Sequence, residues 1–244
     1  MDNHKPKTNE VMEMAKNRTC TDAPEFNNHP ILTDKDRGLR CDKKILQAID
    51  TAFNHFFDNH DRGFFMRYDV RAPDGYDDPS NDAYRSGQAN FIKNLSRQGL
   101  DPHYVAVREQ KSAENPHYHG ILLVDGRETQ SIHDHIIKAT DSFASAFGVP
   151  QNKGLVDDCT KDKYGHKQPN GVMLRKDDPE FECKLDGCIQ RASYLAKVNQ
   201  KEKTPRKVRE LFSTRINKPK DNGKSDVQDK QHGGGQSDTE DVRD

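Results

Sequence analysis

Tryptophan is missing from this 244-residue chain, and apolar residues of every kind amount to only 31% of it, against 32% charged. So lean a composition supports one modest core. A membrane-spanning bundle is excluded, because no run approaches the ~20 consecutive apolar residues a span requires. The start, Met1-Asp2-Asn3-His4-Lys5, leads into no apolar stretch, so no secretory leader is expected. Cysteine is scarce and odd in number, five in all and without framework spacing. Reduced thiols in a cytoplasm are therefore expected rather than a disulfide scaffold. A net excess of one charge is lacking too: 39 bases meet 40 acids. That excludes a uniformly basic nucleic-acid binder and leaves room for a locally basic one.

The charge is unevenly placed. Residues 191–220 hold ten Lys or Arg against two Glu, whereas residues 221–244 hold seven acids against three bases. The second stretch, with Gly233-Gly234-Gly235 and two valines as its only apolar side chains, cannot bury enough surface to offset its ordering entropy. The expected organisation is a polar, largely flexible segment over 1–40, one folded domain over 41–217 and a disordered acidic tail over 218–244.

Within the domain the hydrophobic period alternates between helix and strand. Ile45, Leu46, Ile49, Ala52, Phe53, Phe56 and Phe57 recur at helical spacing over 43–57. A strand is expected at 63–70, and then a loop over 72–79 rich in Asp, Gly and Pro. Ser80 or Asn81 can cap a helix running to about 97. Strands at 103–110 and 117–124 form a plausible antiparallel hairpin. Ser131 caps a helix through 147, and a helix is expected over 186–198 after a polar span with a short strand at 171–174. Helices packed on an antiparallel sheet make the class α+β.

The chemistry concentrates in Pro116-His117-Tyr118-His119-Gly120-Ile121-Leu122. On a strand, alternate side chains share a face, so two imidazoles ~7 Å apart can share a divalent ion. If the preceding strand pairs with this one, Glu109 supplies a carboxylate. Two His and one acid leave coordination positions open, as a catalytic metal needs. A second pair, His133 and His135, falls in an expected helix, where i and i+2 do not face each other, and is read as uninvolved. On the last expected helix Tyr194, Lys197 and Lys201 share one stripe, opposite Cys188, Ala192, Leu195 and Ala196. Arg67 and Asp69 share a strand face that either lines a groove or is the wet side of the sheet. Cys159, Cys183, Cys188 and His166 are too irregularly spaced to read as a zinc site. His103 shares the parity of Glu109 but lies six residues away along the strand.

These residues resemble the HUH endonucleases, in which two histidines flank a hydrophobic residue. The closer resemblance is to the inovirus gene-two-like replication proteins, also known as the YagK/YfjJ C-terminal domain. It rests on Arg67-Tyr68-Asp69, Arg108-Glu109, His117-Tyr118-His119 and Tyr194-Leu195-Ala196-Lys197, in that order, over about 43–215. The resemblance implies an HUH/Rep-like sheet of about five antiparallel strands, with the histidines on a central strand and the tyrosine helix facing them. It also implies an enzyme that nicks single-stranded origin DNA. Tyr194 would be the nucleophile, helped by Lys197, with Mn²⁺ or Mg²⁺ on His117, His119 and Glu109. The product would be a 5′-phosphotyrosine and a free 3′-OH for rolling-circle replication of a phage or mobile element in a bacterial cytoplasm. Arg67, Asp69, Arg191, Lys201, Lys203, Arg206 and Lys207 would hold the DNA. No helicase phosphate loop is present, so a host helicase and polymerase are the expected partners. The alternatives are a relaxase or transposase with the same chemistry, and a DNA-binding regulator without cleavage. Tyr194 is the only tyrosine in its helix, so a second transfer step needs another protomer or water.

Overall fold

Two apolar clusters, one on each face of a single sheet, organise the chain. The structure is a computed structural model that describes residues 18–76, 80–110, 115–151, 154–162, 164–198 and 208–216. In chain order it has β1 (Cys20–Thr21), β2 (Glu25–Phe26), β3 (His29–Pro30), β4 (Cys41–Asp42), α1 (Lys43–Asn59), β5 (Arg62–Arg71), α2 (Asp82–Ser96), β6 (His103–Glu109), β7 (His117–Asp125), α3 (Ile132–Phe147), β8 (Val156–Asp157), β9 (Val172–Arg175), α4 (Phe181–Ala192) and β10 (Leu211–Ser213). This is a mixed α and β architecture. Its main sheet runs β10-β6-β7-β5-β8, with β9 also paired to β5, and every pairing is antiparallel.

Strand parity sorts the core. Phe65, Val105, Val107, Ile121 and Leu123 point to the face covered by α1, by α4 and by the turn after α4. Phe64, Met66, Tyr68, Ala106, Leu122 and Val124 point to the face covered by α2 and α3. All seven apolar residues that predict α1 are buried, and Asp42 starts that helix by accepting a hydrogen bond from the Lys44 N–H. Ser131 caps α3 in the same way through the Asp134 N–H, and Gly148, at φ 68°, ends it in the left-handed conformation that glycine adopts without a Cβ penalty.

Three local expectations differ from the structure. The folded unit begins before residue 41: β1 pairs with β4, and Ile31 is buried in the α1-side core. Asn81 does not cap α2 with its side chain. That side chain is buried instead, accepting from Arg108 at 2.6 Å and from the Tyr118 hydroxyl at 2.8 Å. The last helix ends at Ala192 and tightens into a 3₁₀ turn over Ser193–Ala196. The tails expected over 218–244 and at the extreme N-terminus lie outside the described residues.

Candidate active site

The register of β5, β6 and β7 assembles the site. Asp69 pairs with His119 and Arg71 with His117 across β5–β7, while Val107 pairs with His119 and Glu109 with His117 across β6–β7. Because neighbouring strands place like-parity residues on one face, Arg67, Asp69, Arg71, Glu109, His117 and His119 all belong to the α1/α4 face. Tyr118, between the histidines, points the other way. It stacks on Tyr84 with centroids 3.7 Å apart and anchors the strand through Asn81. Gly120 is required by the same face, since a Cβ there would lie 2.7–2.8 Å from the Tyr68 ring and hydroxyl.

His119 is only 9% exposed and is held at both ring nitrogens. Its Nδ1 lies 2.7 Å from Asp69 Oδ1 and its Nε2 lies 3.0 Å from Glu109 Oε2. Burial works against a charged imidazole, but hydrogen bonds and attraction from the two carboxylates outweigh it and raise the pKa of His119 to about 9. Burial likewise opposes ionised Asp69, yet the hydrogen bond and charge of His119, with Arg67, hold it near 2. His117 is half-buried, and burial, then Arg71 and His119, lower its pKa.

Tyr194 enters from the 3₁₀ turn. A 3₁₀ turn eclipses residues i and i+3, and Lys197 Nζ lies 4.2 Å from the Tyr194 ring centroid. Arg67 lies 4.1 Å from the same centroid. The ring meets that of His119 nearly edge-on, with centroids 5.6 Å apart and an interplanar angle of 82°. The N-terminal segment pins this turn. Ser193 Oγ accepts from the Leu32 N–H at 2.8 Å, Cys41 bridges to Lys197, and the Val198 N–H donates to the Arg40 carbonyl at 3.1 Å.

The structure thus brings Tyr194, Lys197, His119, Glu109, Arg67 and Asp69 together, with His117 next to them along β7. Arg191 lines the same cleft as Tyr194. Lys201, Lys203, Arg206 and Lys207, expected to hold DNA, lie outside the described residues. The open choice for Arg67 and Asp69 resolves toward the cleft rather than an uncommitted wet face. Sequence reasoning did not anticipate Asp69 as the Nδ1 partner of His119, a contact that only cross-strand register reveals. It also missed Asn170, whose side chain accepts from the Arg67 N–H at 2.7 Å and donates to the Arg67 carbonyl at 2.8 Å, continuing the edge of β5 between β8 and β9. His135 is buried and His133 exposed, apart from the site. Cys183 is exposed, whereas burial pushes the Cys159 and Cys188 thiols up.

A family model described as the YagK/YfjJ C-terminal domain matches residues 21–210. The chain belongs to that family. No curated protein and no solved structure matches it. Two imidazoles and a carboxylate, on His117, His119 and Glu109, are donor types that suit a divalent cation, so the set fits in kind. Among the described residues, no group of three or more His, Cys, Asp or Glu is arranged to hold one. Glu109 instead contacts His119 Nε2 directly, so an incoming ion would have to displace a proton and part that pair. Asp69 on Nδ1 then plays the orienting part that carboxylates play behind metal-bound histidines. No helix among the described residues is long and apolar enough to cross a membrane.

Proposed function

We propose that this domain is a metal-assisted, HUH-type single-strand DNA endonuclease. It joins Tyr194 to the 5′-phosphate at a replication origin and frees a 3′-OH for rolling-circle replication of a phage or mobile element. The observation that carries the reading is the approach of Tyr194 to His119, with ring centroids 5.6 Å apart on the face that also bears His117 and Glu109.

A phosphodiester resists attack because it and an ionised nucleophile repel each other. Arg67 and Lys197, 4.1 and 4.2 Å from the Tyr194 ring, favour its phenolate and draw the phosphate toward it. In the reaction the phenolic proton leaves, the Tyr194 oxygen bonds to phosphorus, the P–O3′ bond breaks and O3′ gains a proton. Mn²⁺ or Mg²⁺ held by His117, His119 and Glu109 would polarise a non-bridging phosphate oxygen and neutralise developing charge. Asp69 keeps the His119 ring in one orientation through Nδ1, so that Nε2, once parted from Glu109, would face the ion. The phosphotyrosine conserves bond energy for rejoining. The 3′-OH serves a host polymerase, with a host helicase unwinding the duplex in the bacterial cytoplasm.

The test is a denaturant-resistant adduct between the protein and labelled single strands of random sequence in Mn²⁺. The adduct is expected with the native chain and absent in Tyr194→Phe or in chelator. An adduct that survives Tyr194→Phe moves the nucleophile elsewhere, and no adduct on any strand favours a DNA-binding regulator.

A further inference from the structure

Tyr194 opens onto a cleft of about 550 Å³ whose walls include Arg67, Arg71, Lys161, Tyr164 and Arg191. That volume lies within the ~300–1,000 Å³ of pockets that take small molecules or single residues of a polymer. The three carboxylates that share the cleft are already engaged. Asp69 serves His119, Asp157 accepts from the Cys159 N–H at 2.7 Å, and Asp162 accepts from the Tyr164 and His166 N–H groups at 2.9 Å.

The guanidiniums are less well served. Arg67 reaches both Asp69 oxygens only at 3.3 Å, longer than the ~2.7–2.9 Å of a good charge-assisted bond. Arg191 has neutral acceptors, the Cys159 carbonyl at 2.6 Å and the Gln168 side chain at 3.4 Å. The Nε of each is buried without a hydrogen-bond partner. Burial and then the charge of Arg67 lower the pKa of Arg191. Two cations held together in a half-dry wall are relieved by an anion. At the mouth Arg71 and Lys161 are exposed, and Tyr164 is 72% exposed, with Ile137 the only other large apolar side chain so displayed among the described residues. Cations in the wall and an aromatic ring at the rim are the two halves of single-strand recognition, phosphate contact and base stacking.

We propose that this cleft is a nucleotide subsite, taking one nucleotide of the single strand next to the scissile linkage. Its phosphate lies against Arg67 and Arg191, and its base stacks on Tyr164. The subsite rests on the reading of this face as a DNA-processing site, and it assigns work to Tyr164 and Lys161 that the nicking chemistry does not require.

The test uses the full chain and a fluorescent 20-residue oligodeoxythymidine, read by anisotropy in chelator, where no cleavage occurs. Tyr164→Ala is expected to weaken binding about 5- to 150-fold, the range of one lost base stack, and Tyr164→Phe to retain it. Arg191→Gln is expected to flatten the dependence of log affinity on log salt by about 0.7, the share of one single-strand phosphate contact. Lys161→Ala, an exposed change that leaves the packing intact, is expected to act in the same direction. Native affinity and native salt slope in Tyr164→Ala and Lys161→Ala overturn the subsite, whether or not the Mn²⁺ adduct forms. Weakened binding in those variants beside a native chain that forms no adduct upholds the subsite and removes the nuclease. A native chain that binds no oligodeoxythymidine overturns the subsite, and the Mn²⁺ adduct on strands of random sequence then decides the nuclease separately.

Discussion

Two histidines of this chain sit in similar local sequences and are driven in opposite directions by their surroundings. His119, between Asp69 and Glu109, is raised to about 9, whereas His135 is lowered to about 4. His135 is 0% exposed, with Thr129 Oγ1 3.0 Å from Nε2, no partner on Nδ1 and the Phe64 ring 5.9 Å away. Burial is the largest cause of its shift, followed by Lys138. A base whose folded pKa lies below its unfolded value of 6.5 binds fewer protons folded than unfolded in between. Its neutral form therefore costs nothing above about pH 6.5, and stability falls as pH drops toward 4. At ~1.4 kcal/mol per unit, the whole window is worth about 3 kcal/mol. His135→Gln keeps an amide able to meet Thr129 and removes the titration. Urea unfolding of the native chain and of this variant at pH 7, 6, 5 and 4 should give curves whose difference changes by about 3 kcal/mol across the window, in the variant's favour at low pH. Other titrating groups cancel in that difference. Parallel curves would falsify the assignment of His135 as a buried neutral ring.

Gly120→Ala should destabilise the domain by about 1–3 kcal/mol or abolish its folding, because the new methyl meets the Tyr68 ring across the sheet and that ring is fixed by its hydroxyl donating to Gln88 at 2.9 Å; a melting temperature equal to native would show that the ring can retreat. Asp69→Asn should weaken Mn²⁺ binding by about 10- to 100-fold, measured by calorimetry, through loss of the carboxylate behind His119. An unchanged Mn²⁺ affinity would mean that the ion, if bound, does not use His119.

Much of the site was legible because strand parity is a strict rule. Once residues 117–124 read as a strand, His117 and His119 had to share a face, and an antiparallel partner ending in Glu109 could supply a carboxylate to them; the register that sets Glu109 opposite His117 came only with the fold. The same rule put Arg67 and Asp69 on one face, without saying which. The end of α4 was less legible. Helical periodicity treats Tyr194 and Lys197 as members of a continuing helix, but Ser193 donates to the Gln190 carbonyl at 2.6 Å and accepts from Leu32, so the turn tightens and the chain leaves. The partner of that serine is 161 residues away, and no local pattern reports it.

The sequence by itself determined the alternation of helix and strand, the shared face of the two histidines and the order in which the chemical groups arrive along the chain. These follow from side-chain period and apolar spacing, which are properties of neighbouring residues. Only the tertiary structure decided that Asp69 and Glu109 clasp His119 from both sides, that residues 18–42 hold the Tyr194 turn, and that Tyr164 and Arg191 share a cleft with that phenol. Each of these depends on segments far apart in the chain meeting through packing, and the energies that bring them together are sums over the whole core.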